Sequence, residues 1–423
     1  MGRMTTAVRI YGRDDLRLET FELPEITDEE ILCKVVTNSI CMSTYKAVKA
    51  GPAHKRVPPD VAKNPTIAGH EFAGVIEKVG ARWADRFRPG QKFGIQPALN
   101  YKGSLAAPGY SYRYCGGHAT YCIMPREVME MDCLLPYDGD AFFKASLAEP
   151  MSTIIGAHRA CYHQTLGSYE HHMGTRRGGN MAILAGAGPM GIGHIDYALH
   201  GPIPPRLLVV TDIDTARLAR AARIHPPERA AASGVRLVYV NTRDVSDPVN
   251  FLLDLTDERH GYDDVFVLAP VASVVEQADA ILAFDGCLNF FAGPTDPSFS
   301  ARLNFYHVHY SMHHVLGTSG GNTEDMRQAL ELMSRGSLNP AAMITHIGGL
   351  NSAIDTIMHL PEIPGGKKLI YTHKRLPLVA IDEFAERGKT DPFYAALAEI
   401  CERNQGLWSA EAERYLLEHA PDL

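Results

Sequence analysis

One stretch constrains this chain more than any other. Met181-Ala-Ile-Leu-Ala185 is a continuous apolar run of the kind buried on both faces of a parallel sheet. It leads into Gly186-Ala-Gly-Pro-Met-Gly191, and then into a helical pattern with Met190, Ile195, Ala198 and Leu199 along one side. Gly201-Pro-Ile-Pro-Pro205 ends that helix, and Leu207-Leu-Val-Val210 reads as the next strand, closing beside Asp212. A Gly-x-Gly-x-x-Gly alone says little, but between a strand and a helix each glycine has a mechanical role. Gly186 permits the tight turn. Gly188, with Pro189 and Met190, lets the backbone approach a pyrophosphate, and Gly191 lets the helix close on the strand. The unpaired N–H groups of the helix start favour phosphate. Asp212 stands where a ribose diol would be held, and its charge repels a 2′-phosphate, which favours NAD with NADP as the alternative. The interval from Gly186 to Asp212 is longer than the usual 20 or so, and the Pro-rich loop absorbs the excess. The bland alternative is an ordinary glycine turn with a solvated aspartate. It leaves the ordered succession of strand, turn, helix, strand and acid unexplained.

With 423 residues there is room for more than one domain of about 150 residues. Before residue 156, Ile31-Leu-Cys-Lys-Val-Val36 and Gly74 to Gly80 read as short strands between glycines, which predicts a small barrel or sandwich. Residues 98–118 read as a Gly-, Tyr- and Pro-rich loop, and 167–180 as a linker. Val265 to Leu268 and Cys287 to Ala292 read as buried strands, with a helical run from Val271 to Phe284 between them. Alternating strands and helices predict a parallel, doubly wound sheet. The expected α/β organisation is a β-rich domain over 1–156, a dinucleotide-binding domain over 157–318, and a return with a helical tail over 319–423. In that tail Asp391-Pro392 opens a helix with Phe393, Leu397, Ile400 and Cys401 on one face. Trp408, Ala412, Tyr415 and Leu416 repeat the spacing. The tail is expected to pack on the body or on a second subunit.

A net charge of −8 argues against a nucleic-acid partner, and no apolar run reaches the roughly 18 residues of a membrane span. The N-terminal residues carry no signal-like apolar segment. The eight cysteines contain no Cys-x-x-Cys pair, as expected for a reducing, cytoplasmic setting.

Three residues far apart in sequence carry metal-ligand chemistry. Cys41 lies in Asn38-Ser-Ile-Cys-Met-Ser-Thr44, His70 in Gly69-His-Glu-Phe-Ala-Gly74, and Glu149 in Leu147-Ala-Glu-Pro-Met-Ser152. Thiolate, imidazole and carboxylate are ligand types that zinc accepts, and three protein ligands leave a position open for substrate. On spacing alone, a lone buried cysteine and a satisfied histidine account for the same residues.

In these motifs the chain resembles the medium-chain, zinc-dependent alcohol and polyol dehydrogenases, from about residue 5 to 375. Gly69-His70-Glu71 followed by Gly74 is the most specific match, and Glu149-Pro150 resembles the polyol branch, which has glutamate near zinc where alcohol dehydrogenases have cysteine. Cys41-Met-Ser-Thr-Tyr-Lys46, Asn100-Tyr-Lys-Gly-Ser104 and Val128 to Leu135 resemble reductases of L-sorbose 1-phosphate within that family. The resemblance implies a GroES-like catalytic domain, a Rossmann domain and one catalytic zinc. It makes Cys41 and His70 direct ligands, with Glu149 bound directly or through water and Glu71 able to exchange with it. It gives Ser43 the hydroxyl that starts the proton relay, and sets Gly293, Thr318 and Ser319 near the nicotinamide. It also implies a homo-oligomer, dimer or tetramer. Two departures matter. The stretch that holds four cysteines in many members has only Cys115 and Cys122 here, so no structural zinc is expected. The relay position often held by histidine is Lys46, which leaves the next relay member open.

Between Thr44 and Pro65 lie Lys46, Lys49, His54, Lys55, Arg56 and Lys63 against the single acid Asp60. Read alone this is a solvated basic loop. Read with the resemblance, Lys46, Lys49, Lys55 and Arg56 are candidates to hold a substrate phosphate, Lys46 first, with Lys102 and Arg113 as additions. The expected reaction is reduction of L-sorbose 1-phosphate to glucitol 6-phosphate. An unphosphorylated polyol or sugar is the alternative substrate. A dinucleotide-binding sensor without catalysis is the alternative outside enzymes, though such a protein needs none of Cys41, Ser43, His70 or Glu149. The clustered His307, His309, His313 and His314, and the pair His171-His172, read as packing or solvent contacts.

Overall fold

The computed structural model describes residues 2–423. The chain divides into two compact units, one formed by the residues through Pro150 together with Asn322–Leu423, the other by Met151–Gly321.

In the first unit, Met4–Gly12 pairs antiparallel with Asp15–Glu22 and with Thr66–Ile67. A larger sheet runs in the order Val379–Ala380, Ile344–Gly349, Lys367–Tyr371, Ile31–Ile40, Glu71–Val79, Lys92–Ile95 and Leu134–Pro136. Tyr121–Met124 also pairs with Ile31–Ile40. The β-branched run at 31–36 thus becomes the central strand, and its buried side chains Ile31, Cys33 and Val35 pack with Phe72, Ile76, Phe93 and Met124. Strands from beyond residue 340 complete this sheet, so the segment after Asn322 is part of the same hydrogen-bonded body.

The tail packs on this unit. Asp391 caps the helix Pro392–Arg403 by accepting from the Phe393 amide, with Pro392 at the first helical position. Ser409 caps the last helix, Ala410–His419. The fully buried Trp408 donates its indole N–H to the Tyr371 hydroxyl (2.8 Å). Buried Glu413 accepts from the amides of Phe142 and Phe143, the opening of the helix Phe142–Ser146, and from the Tyr371 hydroxyl. Burial raises its carboxyl to about 7. That short helix precedes Ala148–Ala160, whose first turn carries Glu149.

In the second unit, parallel strands stand in the order Arg236–Asn241, Leu207–Asp212, Asn180–Leu184, Tyr262–Val267, Leu282–Phe290 and His314–Gly317. The chain enters at the middle and winds outward to both sides, with Pro189–His200, Thr215–Ile224 and Ala272–Ala280 among the crossover helices. This is the doubly wound order in which ligands sit at the carboxyl ends of the strands, at the switch point.

Two readings of the sequence are corrected. The helical run from Val271 to Phe284 ends at Ala280, and residues from Leu282 onward belong to a nine-residue strand. Short apolar runs do not separate a buried strand from a helix end by periodicity. Residues 167–180 are not a bare linker, because His171–Met173 pairs with Tyr162–Gln164 as a hairpin within the second unit.

Candidate active site

Because Ile31–Ile40 runs antiparallel to Glu71–Val79, the end of the first strand lies beside the start of the second. Cys41 follows Ile40 directly and His70 precedes Glu71 directly, so backbone pairing alone joins residues distant in sequence. The donor atoms of Cys41, His70 and Glu71 all lie within 4.8 Å of one another. Gly69 turns the chain into this point at φ +91, a left-handed conformation that glycine adopts without strain. A side chain at Gly109 would stand 2.2 Å from the Gly69 carbonyl oxygen. The two backbones therefore touch, and the otherwise irregular 98–118 loop delivers Tyr110 against His70, ring centroids 4.9 Å apart.

A hydroxyl network fills the site. Ser43 Oγ donates to Cys41 Sγ (3.0 Å) and lies 3.2 Å from His70 Nε2. The Tyr110 hydroxyl donates to Ser43 Oγ (3.0 Å) and lies 3.4 Å from the same imidazole nitrogen. Thr44 Oγ1 is 3.3 Å from His70 Nδ1 and orients the ring from its other edge. On the far side, the buried Lys367 ammonium reaches both Glu71 oxygens, at 2.6 and 2.7 Å.

The electrostatics point to a missing positive charge. Burial pushes the Cys41 thiol up, and the nearby Glu71 adds to it. Burial and the charge of Glu71 raise Glu149 to about 8. Burial alone would raise Glu71 too, but Lys367 and His70 outweigh it and hold that carboxyl below its usual range. Burial also keeps His70 neutral, the form that ligates metal. A buried thiol and two carboxyls around one ammonium favour a divalent cation, and the donor set fits zinc. Cys41, His70 and Glu71 form the close group, and Glu149 acts on His70 by charge.

In the second unit, Gly188 caps the helix Pro189–His200 and has open space where a Cβ would be, with Pro189 and Met190 following half-exposed. A Cβ on Gly191 would stand 1.9 Å from the Gly186 carbonyl oxygen, so helix and turn meet with no room for a side chain. Asp212 ties the turn to its neighbours. One oxygen accepts from the amides of Ile213 (2.8 Å) and Asp214 (3.1 Å), the other from Ala187 (3.1 Å). A groove of about 630 Å³ opens beside it, lined in part by Thr211, Ile213, Thr242, Val271 and Ser273. Gly293 follows the strand ending at Phe290, while Thr318 and Ser319 follow the adjacent strand ending at Gly317.

The basic loop disperses. Lys46 is half-buried on the helix Met42–Ala50, Lys49 pairs with Asp14 (2.9 Å), and Lys55, Lys63, Lys102 and Arg113 are exposed. Arg56 lies over the Tyr110 ring. His314 pairs with Asp285 (2.7 Å), and His307 stacks on His313. A second grouping, Cys161, Asp264 and Cys287, is also buried. Asp264 there is already hydrogen-bonded by His163 (3.2 Å) and the Arg176 amide (2.8 Å), which makes it a structural network at the strand beginnings.

Tyr110, Thr44 and Lys367 escape a reading of the sequence. The one available signal was the lysine pair 367–368 heading a five-residue strand buried throughout.

Comparison with known proteins follows the same lines. The family described as alcohol dehydrogenase GroES-like domain matches residues 27–132. The chain is 54% identical over 414 residues to mannitol-1-phosphate 5-dehydrogenase of Aliivibrio fischeri, covering 98% of this chain and 97% of that one. It is 50% identical over 419 residues to L-sorbose 1-phosphate reductase of Klebsiella pneumoniae, covering 99% and 98%. The fold is that of 2R,3R-butanediol dehydrogenase from Bacillus subtilis, with a TM-score of 0.70 at 20% identity over 87% of this chain and 99% of that one. Identity of this extent over nearly the whole length leaves one assignment: the chain belongs to the zinc-dependent medium-chain alcohol and polyol dehydrogenase family, and is an oxidoreductase.

Proposed function

We propose that this protein transfers hydride between NAD(H) and a ketose phosphate, reducing L-sorbose 1-phosphate to glucitol 6-phosphate. The observation that carries the reading is the convergence of Cys41, His70 and Glu71 with Ser43 Oγ set between thiol and imidazole. Similarity to two enzymes whose names specify hexitol or hexose phosphates supports the substrate class.

Cys41 and His70 would hold zinc, with Glu71 and Glu149 as its carboxylate partners. Bound there, zinc supplies Lewis-acid polarisation of the substrate oxygen, and NADH supplies the hydride. The chain's own groups do the rest. Thr44 fixes the imidazole. Tyr110 donates to Ser43 and so frees the serine proton for the oxygen that gains negative charge on reduction; in the reverse direction Ser43 accepts it. Lys367 restrains Glu71. In the second unit, the Gly186–Gly191 turn takes the pyrophosphate, Gly293, Thr318 and Ser319 flank the nicotinamide, and the Asp212 charge beside the groove favours NAD over NADP. A single zinc is supported by Cys115 and Cys122, which pack into the hydrophobic core of the first unit.

The unpaired edge of His314–Gly317 and the exposed Phe305, Tyr306 and Tyr310 just before it support a homo-oligomer. No described helix is long and apolar enough to cross a membrane. The cysteine usage, without a Cys-x-x-Cys pair, supports action in the cytoplasm on a small molecule.

The test is NADH oxidation by zinc-loaded protein with L-sorbose 1-phosphate beside L-sorbose. We expect kcat/KM to favour the phosphate about 100-fold, roughly 2.7 kcal/mol. Equal rates would make this a general polyol dehydrogenase. The name of the Aliivibrio relative sets a second reading, oxidation of mannitol 1-phosphate at carbon 5. Faster NAD reduction with mannitol 1-phosphate than with glucitol 6-phosphate would favour it.

A further inference from the structure

We propose that Arg56 forms the subsite for the substrate's phosphate, with the Tyr110 ring as its floor. The inference rests on the reading of the protein as a sugar-phosphate oxidoreductase and narrows its phosphate contact to one residue.

The main chain of Arg56 is fixed from both sides. Its amide donates to His54 Nδ1 (3.3 Å), and its carbonyl accepts from Ser111 Oγ (2.6 Å). Ser111 follows Tyr110, so its hydroxyl ties the arginine main chain to the segment that carries the tyrosine. The guanidinium stands 5.5 Å from the centre of the Tyr110 ring, and His54 stacks on the same ring at 5.8 Å. No carboxylate among the described residues forms an ion pair with Arg56. Its Nε is buried and has no hydrogen-bond partner. A guanidinium N–H removed from water and given no acceptor is unfavourable, so such groups are normally paired. This guanidinium lies on the ring whose hydroxyl reaches Ser43.

One phenol connects this cation to the reacting centre, because the Tyr110 hydroxyl donates to Ser43 and lies against His70. Arg56 also contributes to the field at His70 and at Tyr110. The buried ammonium on the metal side is already committed: Lys367 is engaged by Glu71. Arg56 is the cation by this ring that lacks an anion. A phosphate monoester matches it, since the planar guanidinium fork offers parallel N–H donors to two phosphate oxygens together with a positive charge. The other loop cations are less suited. Lys49 is committed to Asp14, and Lys55 is exposed. Lys46, the first choice from sequence, is the comparison variant.

The test uses full-length, zinc-loaded protein in three forms: wild type, Arg56→Gln and Arg56→Lys. Lysine keeps charge and bulk over Tyr110 and guards against a variant that fails to fold. Two readouts are taken. The first is the ratio of kcat/KM for L-sorbose 1-phosphate to that for L-sorbose. The second is calorimetric binding of inorganic phosphate, which needs no turnover. The expected result is a ratio falling from about 100 to near 1 in Arg56→Gln and to an intermediate value in Arg56→Lys, with phosphate binding lost in the glutamine variant. A ratio that collapses in Lys46→Gln but not in Arg56→Gln would move the subsite to Lys46 and overturn the assignment. A parallel loss on both sugars would make Arg56 a prop for Tyr110 and overturn the subsite. So would a wild-type ratio in Arg56→Gln, although the sugar-phosphate reading would then stand. If wild type reduces neither sugar yet binds phosphate through Arg56, the subsite stands and the substrate reading falls.

Discussion

Cys41→Ser is expected to lower kcat/KM by at least about 1,000-fold, some 4 kcal/mol of transition-state stabilisation, while NADH binding is retained. On the proposed mechanism the substitution removes the sulfur donor that would hold zinc, and little else. Cys41 is the N-cap of the helix Met42–Ala50 and makes no side-chain capping hydrogen bond. Serine is among the preferred residues at that position, so the variant should fold at least as well as wild type. The Gly186–Gly191 turn and the Asp212 groove belong to the other unit, so dinucleotide affinity, read by NADH fluorescence, should not move. The variant thus separates loss of chemistry from loss of fold. Undiminished turnover would remove the metal from the mechanism.

The second large effect concerns stability. Lys367→Met should destabilise the metal-free protein by about 3–5 kcal/mol, because it strands the Glu71 carboxylate in a buried site with no counter-charge. The cost should appear as a lower denaturant midpoint with an unchanged slope. Adding Glu71→Gln should recover most of it, since the uncompensated charge is then gone. Chelated protein is required, because a bound cation would neutralise Glu71 in the lysine's place. A single variant as stable as wild type would show that the pair is solvated and that the site is less enclosed than described.

The parts of the fold legible in the sequence are those written in local pattern. The run 181–212 held strand, turn, helix, strand and acid in order, and each stands where the pattern placed it. Cys41, Ser43, His70 and Glu71 were legible through the family motifs they stand in, and the pairing of two strands brings them together. What stayed hidden depends on long-range pairing. Lys367 meets Glu71 across 296 residues only because Lys367–Tyr371 joins the sheet beside Ile31–Ile40. Tyr110 lies in a loop with no periodicity, and its place is set by the contact of Gly109 with Gly69. The basic loop reads in sequence as a collective patch led by Lys46; in the fold Lys49 pairs with Asp14, Lys55 and Lys63 are exposed, and Arg56 lies over the Tyr110 ring. The hairpin at His171–Met173 was missed because its three side chains are all exposed and carry no alternation.

Zinc content measured alongside turnover tests the central claim most directly. Protein dialysed against chelator should lose both its zinc and its NADH-dependent reduction of L-sorbose 1-phosphate. Titration with zinc should restore activity linearly to an end point at one equivalent per chain, with Cys41→Ser failing to recover. Full turnover by the zinc-free protein would contradict the account, whatever substrate it accepts.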